Sequence, residues 1–233
     1  MSSSIQLSNI SQSFSLNDSK VTLFEQLNLS IQQGESYAIT GPSGAGKSSL
    51  LMLMSGLEKP TSGNATYLKE GHAYGMDHLR ADIGFIFQQF HLLPELTALN
   101  NVALPLKLRG DKEAVNKAKI MLEKVGLLER VNHHPNELSG GEQQRVAIAR
   151  ALVFEPRFIF ADEPTGNLDE KSAGDIADIL FKCCQDTNAA LIIVTHSESL
   201  ASRAQHVYRL SHGKLEGEKA HYSAEMTREG ASC

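Results

Sequence analysis

Apolar and polar residues alternate along the N-terminal stretch of the chain. Ile5-Gln6-Leu7-Ser8 and Leu27-Asn28-Leu29-Ser30-Ile31 switch at every position, the period of strands with one buried and one solvated face. Gln32-Gln33-Gly34 marks a turn after them, and the region through about Glu35 reads as β-rich. Ser36-Tyr37-Ala38-Ile39-Thr40 is a further short strand. Ser49-Leu50-Leu51-Met52-Leu53-Met54 opens a helix that ends near Gly56, and Lys59-Pro60-Thr61-Ser62-Gly63 turns the chain into a strand over 64–68. Three compact apolar runs then read as buried strands: Ile83-Gly84-Phe85-Ile86-Phe87, Phe158-Ile159-Phe160-Ala161 and Leu191-Ile192-Ile193-Val194-Thr195.

Between the first two of these runs the period lengthens. Val115, Ala118, Ile120, Met121, Leu122 and Val125 fall near helical spacing within 112–125, and Val146, Ala149 and Leu152 do so within 142–154. A further helix is expected over 98–108, broken at Pro105. After Asp169 a helix over 170–184 carries Ile176, Ile179, Leu180 and Cys183 on one face. Val207-Tyr208-Arg209-Leu210, a turn at His212-Gly213 and Leu215 suggest a closing hairpin, followed from residue 218 by a polar tail. Continuous apolar strands alternating with helices predict an α/β fold, with a mainly parallel sheet covered on both faces. The helical block over about 90–151 interrupts that alternation and is expected to form a lobe inserted in a domain spanning 1–217.

Composition adds mostly exclusions. The 233 residues are 41% hydrophobic and 21% charged, ordinary for a globular chain, with a formal net charge of −5. No basic run stands out, so nucleic-acid binding gains no support. Cys183 and Cys184 are adjacent and Cys233 is terminal, which suggests neither a disulfide framework nor a metal site and fits a reducing, cytoplasmic setting. The N-terminus lacks the basic and apolar regions of a secretion signal. No apolar run is long enough to span a bilayer; any membrane function would need a second chain.

The chemistry concentrates in a few short stretches. Gly41-Pro42-Ser43-Gly44-Ala45-Gly46-Lys47-Ser48, followed by Ser49, reads G-x-x-x-x-G-K-S between a strand and a helix. That context aims backbone N–H groups and a helix dipole at one point. Lys47 can reach the β- and γ-phosphates of a nucleotide, and Ser48 can offer its hydroxyl to Mg²⁺. The apolar run at 158–161 ends in Asp162-Glu163. On its own such an acidic pair is as often solvated surface as metal site. Beside a phosphate loop, Asp162 is a candidate Mg²⁺ ligand and Glu163 a candidate for polarising the attacking water. Leu138-Ser139-Gly140-Gly141-Glu142 opens another helix, and by itself would be no more than a helix capped by Ser139.

With that stretch in place the chain resembles the ATP-binding-cassette ATPases, whose signature reads LSGGQ or LSGGE. The resemblance covers residues from about 4 to 217. It implies that Gln88 is the glutamine linking nucleotide and Mg²⁺ to a partner, that Asn167-Leu168-Asp169 is the D-loop, and that His196 senses the γ-phosphate. It places Phe14 where an aromatic stacks on adenine, and Ser197 where an aspartate is usual, a departure expected to weaken local hydrogen bonding. It also implies a head-to-tail dimer, each ATP lying between one subunit's Lys47 loop and the other's Ser139-Gly140-Gly141. Further segments, among them Asp162–Asp169 as DEPTGNLD, look like the ATPases of bacterial lipoprotein-release and macrolide-export systems. Amino-acid importer ATPases share several of them. The implied partner is an integral-membrane permease, whose short cytoplasmic helix would enter a groove along Phe90–Leu106. The implied location is the inner face of the cell membrane. A soluble ABC ATPase of DNA repair or translation, and a cassette that only binds ATP, are the competing readings. The first usually carries long insertions or two cassettes, and the second needs neither Glu163 nor His196.

Overall fold

A computed structural model describes residues 2–16 and 19–219. Two sheets form the frame. The first is antiparallel, built from β1 (Ser4–Leu16), β2 (Ser19–Gln32), β4 (Ser62–Lys69) and β5 (His72–Tyr74) in the order β2-β1-β4-β5. The second has the order β10-β9-β3-β8-β7-β6. It combines β3 (Ser36–Thr40), β6 (Ile83–Ile86), β7 (Phe158–Asp162), β8 (Ala190–Val194), β9 (His206–Ser211) and β10 (Lys214–Lys219). All its pairings are parallel except the β9–β10 hairpin. Glu218 and Lys219, expected in the polar tail, pair instead with Val207 and His206 in that hairpin. The tail from residue 220 onward lies outside the described residues.

Strand β7 shows why the parallel strands read as unbroken apolar runs. Phe158 and Phe160 enter one core with Ile192 and Val194, shared with β1, β2 and helix α1 (Lys47–Met54). Ile159 and Ala161 point the other way, into a core shared with the helices α2 (Ala98–Leu108), α3 (Ala114–Lys124), α4 (Gly140–Leu152) and α5 (Glu170–Asp186). With both faces buried, no position needs to be polar. The helices inserted between β6 and β7 therefore share one core with a face of the sheet.

Helix α2 runs through Pro105 without the expected break. Proline removes the N–H that would serve the carbonyl four residues back, yet the buried Val102, Ala103 and Leu106 hold the helix on both sides of it. The buried Asn101 side chain also pins the helix start. It accepts from the Leu93 N–H at 2.8 Å and donates to the carbonyls of Leu93, Leu96 and Thr97.

Candidate active site

Three elements of the parallel sheet deliver the site. Strand β3 ends at Thr40, and the chain turns through residues 41–46 into α1. At Gly41, φ is +144°, and a Cβ would stand 2.1 Å from the Leu210 carbonyl oxygen of neighbouring β9, so only glycine fits. Gly44 at the loop's crest has open space around it. Lys47 folds back over the loop, its Nζ donating to the carbonyls of Gly41 at 2.9 Å and Pro42 at 3.0 Å. Ser49 is half-buried in the first turn of α1.

Asp162 sits at the end of β7, where Ser48 Oγ donates to its Oδ1 at 3.1 Å. Burial pushes the Asp162 carboxyl above the usual carboxylate range; Ser48 and Lys47 oppose that rise and the Glu163 carboxylate adds to it. A half-buried carboxylate beside a hydroxyl is an all-oxygen donor set, the kind a hard divalent cation takes.

Glu163 follows with φ +46°, a left-handed conformation rare for a residue with a side chain. Its N–H bonds the Val194 carbonyl at 2.9 Å, which fastens it to β8. Its carboxylate is held from the same strand's end: Oε1 lies 2.9 Å from His196 Nδ1, and Oε2 accepts from Thr195 Oγ1 at 3.2 Å and from the His196 N–H at 3.4 Å. The His196 side chain remains 70% exposed while that of Glu163 is only 16% exposed. Sequence reasoning missed Thr195; its signal was a hydroxyl ending an apolar strand just before His196. Ser197, rather than loosening this corner, caps the short helix α6 (Glu198–Ala201), accepting from the Leu200 N–H, and its own N–H bonds Thr195 Oγ1 at 3.0 Å.

Gln88 is exposed and turned toward the segment after Glu163. It donates to Asn167 Oδ1 at 3.3 Å, and Asn167 Nδ2 donates back to the Gln88 carbonyl at 2.9 Å. Its hydrogen bonds among the described residues thus go to Asn167, not to Ser48 or Asp162. Asp169 caps α5, accepting from the Ser172 N–H at 3.0 Å. Ser139 caps α4 in a reciprocal box with Glu142: its hydroxyl accepts from the Glu142 N–H, and its own N–H donates to Glu142 Oε2 at 2.8 Å. That backbone donor, followed by Arg130, keeps the Glu142 carboxyl below its usual range. Phe14 lies on β1 opposite Val21, both 42% exposed. Lys47, Ser48 and Asp162 therefore form one cluster and Glu163 with His196 adjoins it, whereas Phe14 and the Ser139 turn sit on separate elements.

The ABC transporter family model matches residues 24–166, from β2 through the turn after Glu163. The chain belongs to the ABC transporter family. It is an ATP-binding, ATP-hydrolysing cassette. Among its relatives, the lipoprotein-releasing system ATP-binding protein LolD of Rickettsia bellii is 44% identical over 215 residues, covering 91% of this chain and 96% of that protein. The macrolide export ATP-binding/permease protein MacB of Bdellovibrio bacteriovorus is also 44% identical, over 92% of this chain but only 34% of its own length. A dimeric ATP-binding cassette solved in a post-hydrolysis state with ADP and Pi superposes with a TM-score of 0.81 at 36% identity, covering 93% of this chain and 98% of that one. Among the described residues no helix is long and apolar enough to cross a membrane.

Proposed function

We propose that this chain is the energy subunit of a bacterial lipoprotein-releasing or macrolide-export type transporter, attached from the cytoplasm to the inner face of the membrane through a permease. The observation that carries this is the coverage of its relatives. The chain matches nearly all of the ATP-binding protein LolD and one third of MacB, whose name joins ATP-binding and permease functions in one chain. Among the described residues no helix could supply the membrane span, so in this reading a permease supplies it as a separate partner. The test is to co-express the chain with a candidate lipoprotein-release or macrolide-export type permease from the same genome. Joint purification from membranes and ATPase activity altered by the permease are expected; a chain that purifies alone and drives no export refutes the assignment.

In this reading the backbone N–H groups of residues 41–46 and the Lys47 ammonium bind the phosphates, and Phe14 stacks on the adenine. Ser48, Asp162 and Gln88 would hold Mg²⁺, which neutralises charge on the β- and γ-phosphate oxygens. Gln88 would do so through Oε1 while its Nε2 still donates to Asn167, which makes it a joint between the nucleotide and the segment after Glu163. Glu163 takes the proton of the attacking water, and His196 moves from the Glu163 carboxylate to the γ-phosphate. The partner subunit contributes through Ser139, Gly140 and Gly141, with Asp169 beside the same interface. Neither glycine is required by its own subunit: a Cβ on Gly140 or Gly141 would meet nothing closer than 3.6 Å. Bare backbone at an exposed helix N-terminus suits an anion arriving from outside.

Ser139→Arg is accordingly expected to stop hydrolysis while leaving nucleotide binding to the isolated subunit intact. Mixed with Lys47→Ala, it forms dimers in which one site carries both defects and the other neither. Activity recovered on mixing supports action in trans; mixed dimers without recovery rule it out.

The permease contact is proposed along residues 90–106. The most exposed apolar side chain there is Leu93, at 43%, whereas Leu96 is half-buried and Leu92 and Leu99 pack against the core. Leu93→Glu is therefore expected to abolish co-purification with the permease while the subunit's own ATPase activity and melting temperature stay unchanged. Undiminished permease binding would move the docking surface elsewhere.

A further inference from the structure

Gln144 lies on α4, four residues beyond Gly140, and is fully buried. Its Nε2 donates to the Pro164 carbonyl at 2.7 Å. Its Oε1 is the one buried side-chain polar atom without a hydrogen-bond partner among the described residues. An amide buried with its acceptor unpaired is less favourable than an apolar side chain of similar volume. Packing therefore does not account for a glutamine at this position. What the amide provides is a short tie between the helix opened by Ser139-Gly140-Gly141 and the residue that follows Glu163.

The tied segment has little slack. Glu163 is in a left-handed conformation, Pro164 has its φ fixed by its ring, and the Gly166 N–H closes the turn on the Glu163 carbonyl at 3.1 Å. On the far side, the amide exchange between Gln88 and Asn167 clamps the same turn. A displacement of the first turns of α4 is thus passed through Gln144 to Pro164, and Glu163 next to it must follow.

We propose that Gln144 is a positioning residue that sets Glu163 according to whether its own subunit's signature turn has engaged the partner's nucleotide. This rests on the head-to-tail dimer proposed above. In that dimer the signature turn serves one ATP and Glu163 of the same subunit serves the other. Gln144 then carries the occupancy of one site to the base of the other, and makes hydrolysis at the two sites cooperative.

The test compares the parent protein with Gln144→Met, an unbranched side chain of similar reach that removes both the donor and the unpaired acceptor. Melting no lower than the parent and unchanged ATP affinity of the isolated subunit by calorimetry are expected. Turnover should fall roughly 10- to 100-fold, the scale set by small misplacements of a reacting group. Its dependence on ATP concentration should change from sigmoidal to hyperbolic. Parent-like turnover and sigmoidicity overturn the proposal. So does a variant melting about 5 °C or more below the parent, because the contact would then serve stability. Gel filtration with ATP of Glu163→Gln, with and without Gln144→Met, separates the two levels. No dimer from Glu163→Gln alone overturns the head-to-tail reading and this inference with it. A dimer in both, with Gln144→Met turning over ATP like the parent, overturns this inference alone.

Discussion

Replacing Lys47 by alanine is expected to weaken Mg-ATP binding by about 100-fold or more. The ammonium donates to the carbonyls of Gly41 and Pro42 at 2.9 and 3.0 Å and so lies over the loop that must receive the phosphates. Moving it from two neutral carbonyls to phosphate oxygens exchanges ordinary acceptors for charged ones. Hydrogen bonds to charged groups are worth about 1.5–3 kcal/mol each, and losing two of them, about 3 kcal/mol or more, gives the stated factor. Stability should hardly change, because the loop is solvent-accessible and water can serve both carbonyls. Lys47→Arg should not restore affinity, since a planar fork cannot replace a compact charge held inside a tight loop. Isothermal calorimetry with Mg²⁺ present checks the two affinities, and thermal melting checks the stability. Unchanged affinity of Lys47→Ala would mean that the nucleotide binds elsewhere.

The phosphate loop could be read from the sequence because its chemistry is local. Glycines, Lys47 and Ser48 lie within eight consecutive residues, and the strand before and helix after are fixed by short-range pattern. Strands β7 and β8 were legible for a different reason: burial on both faces leaves an apolar run that nothing polar interrupts. Strand β1 was legible only in its first part. Positive φ at Asn9 and shifts of register between Leu7 and Gln12 break the alternation, so the strand continues to Leu16 where the pattern no longer says so. The Pro105 break failed because a local rule met a tertiary one: burial of Val102, Ala103 and Leu106 outweighs one missing backbone bond. Leu96 and Leu93 are alike in sequence, and only packing reveals which of them faces solvent.

What the sequence could not show in the site is pairing between distant segments. Gln88 and Asn167 are 79 residues apart, Gln144 and Pro164 20 residues apart, and each pair holds the turn after Glu163 from a different side. The left-handed backbone of Glu163 is equally invisible, since a residue preceding proline is expected in an extended conformation. Motif order identifies which residues belong to the site, and the fold determines which of them touch.

Glu163→Gln is expected to reduce ATP turnover by roughly 10²–10⁴, the usual consequence of losing a general base. The side chain keeps its shape, and its oxygen can still accept from Thr195 Oγ1 or the His196 N–H, which hold the carboxylate at 3.2 and 3.4 Å. What disappears is the capacity to take a proton. Because Glu163 does not touch the loop carbonyls bonded by Lys47, nucleotide affinity should remain close to that of the parent. Binding without hydrolysis should then leave the subunits closed around ATP, visible as a dimer on gel filtration with Mg-ATP and as a monomer after the nucleotide is removed. His196→Ala makes the comparison informative. It frees the Glu163 carboxylate from the Nδ1 contact at 2.9 Å but leaves the base itself in place. If His196 only restrained Glu163, its loss would preserve or raise turnover; if it must meet the γ-phosphate, turnover falls with Glu163 intact. Turnover of Glu163→Gln equal to that of the unchanged protein would exclude Glu163 as the base, leaving its strained backbone and three hydrogen bonds a purely structural feature.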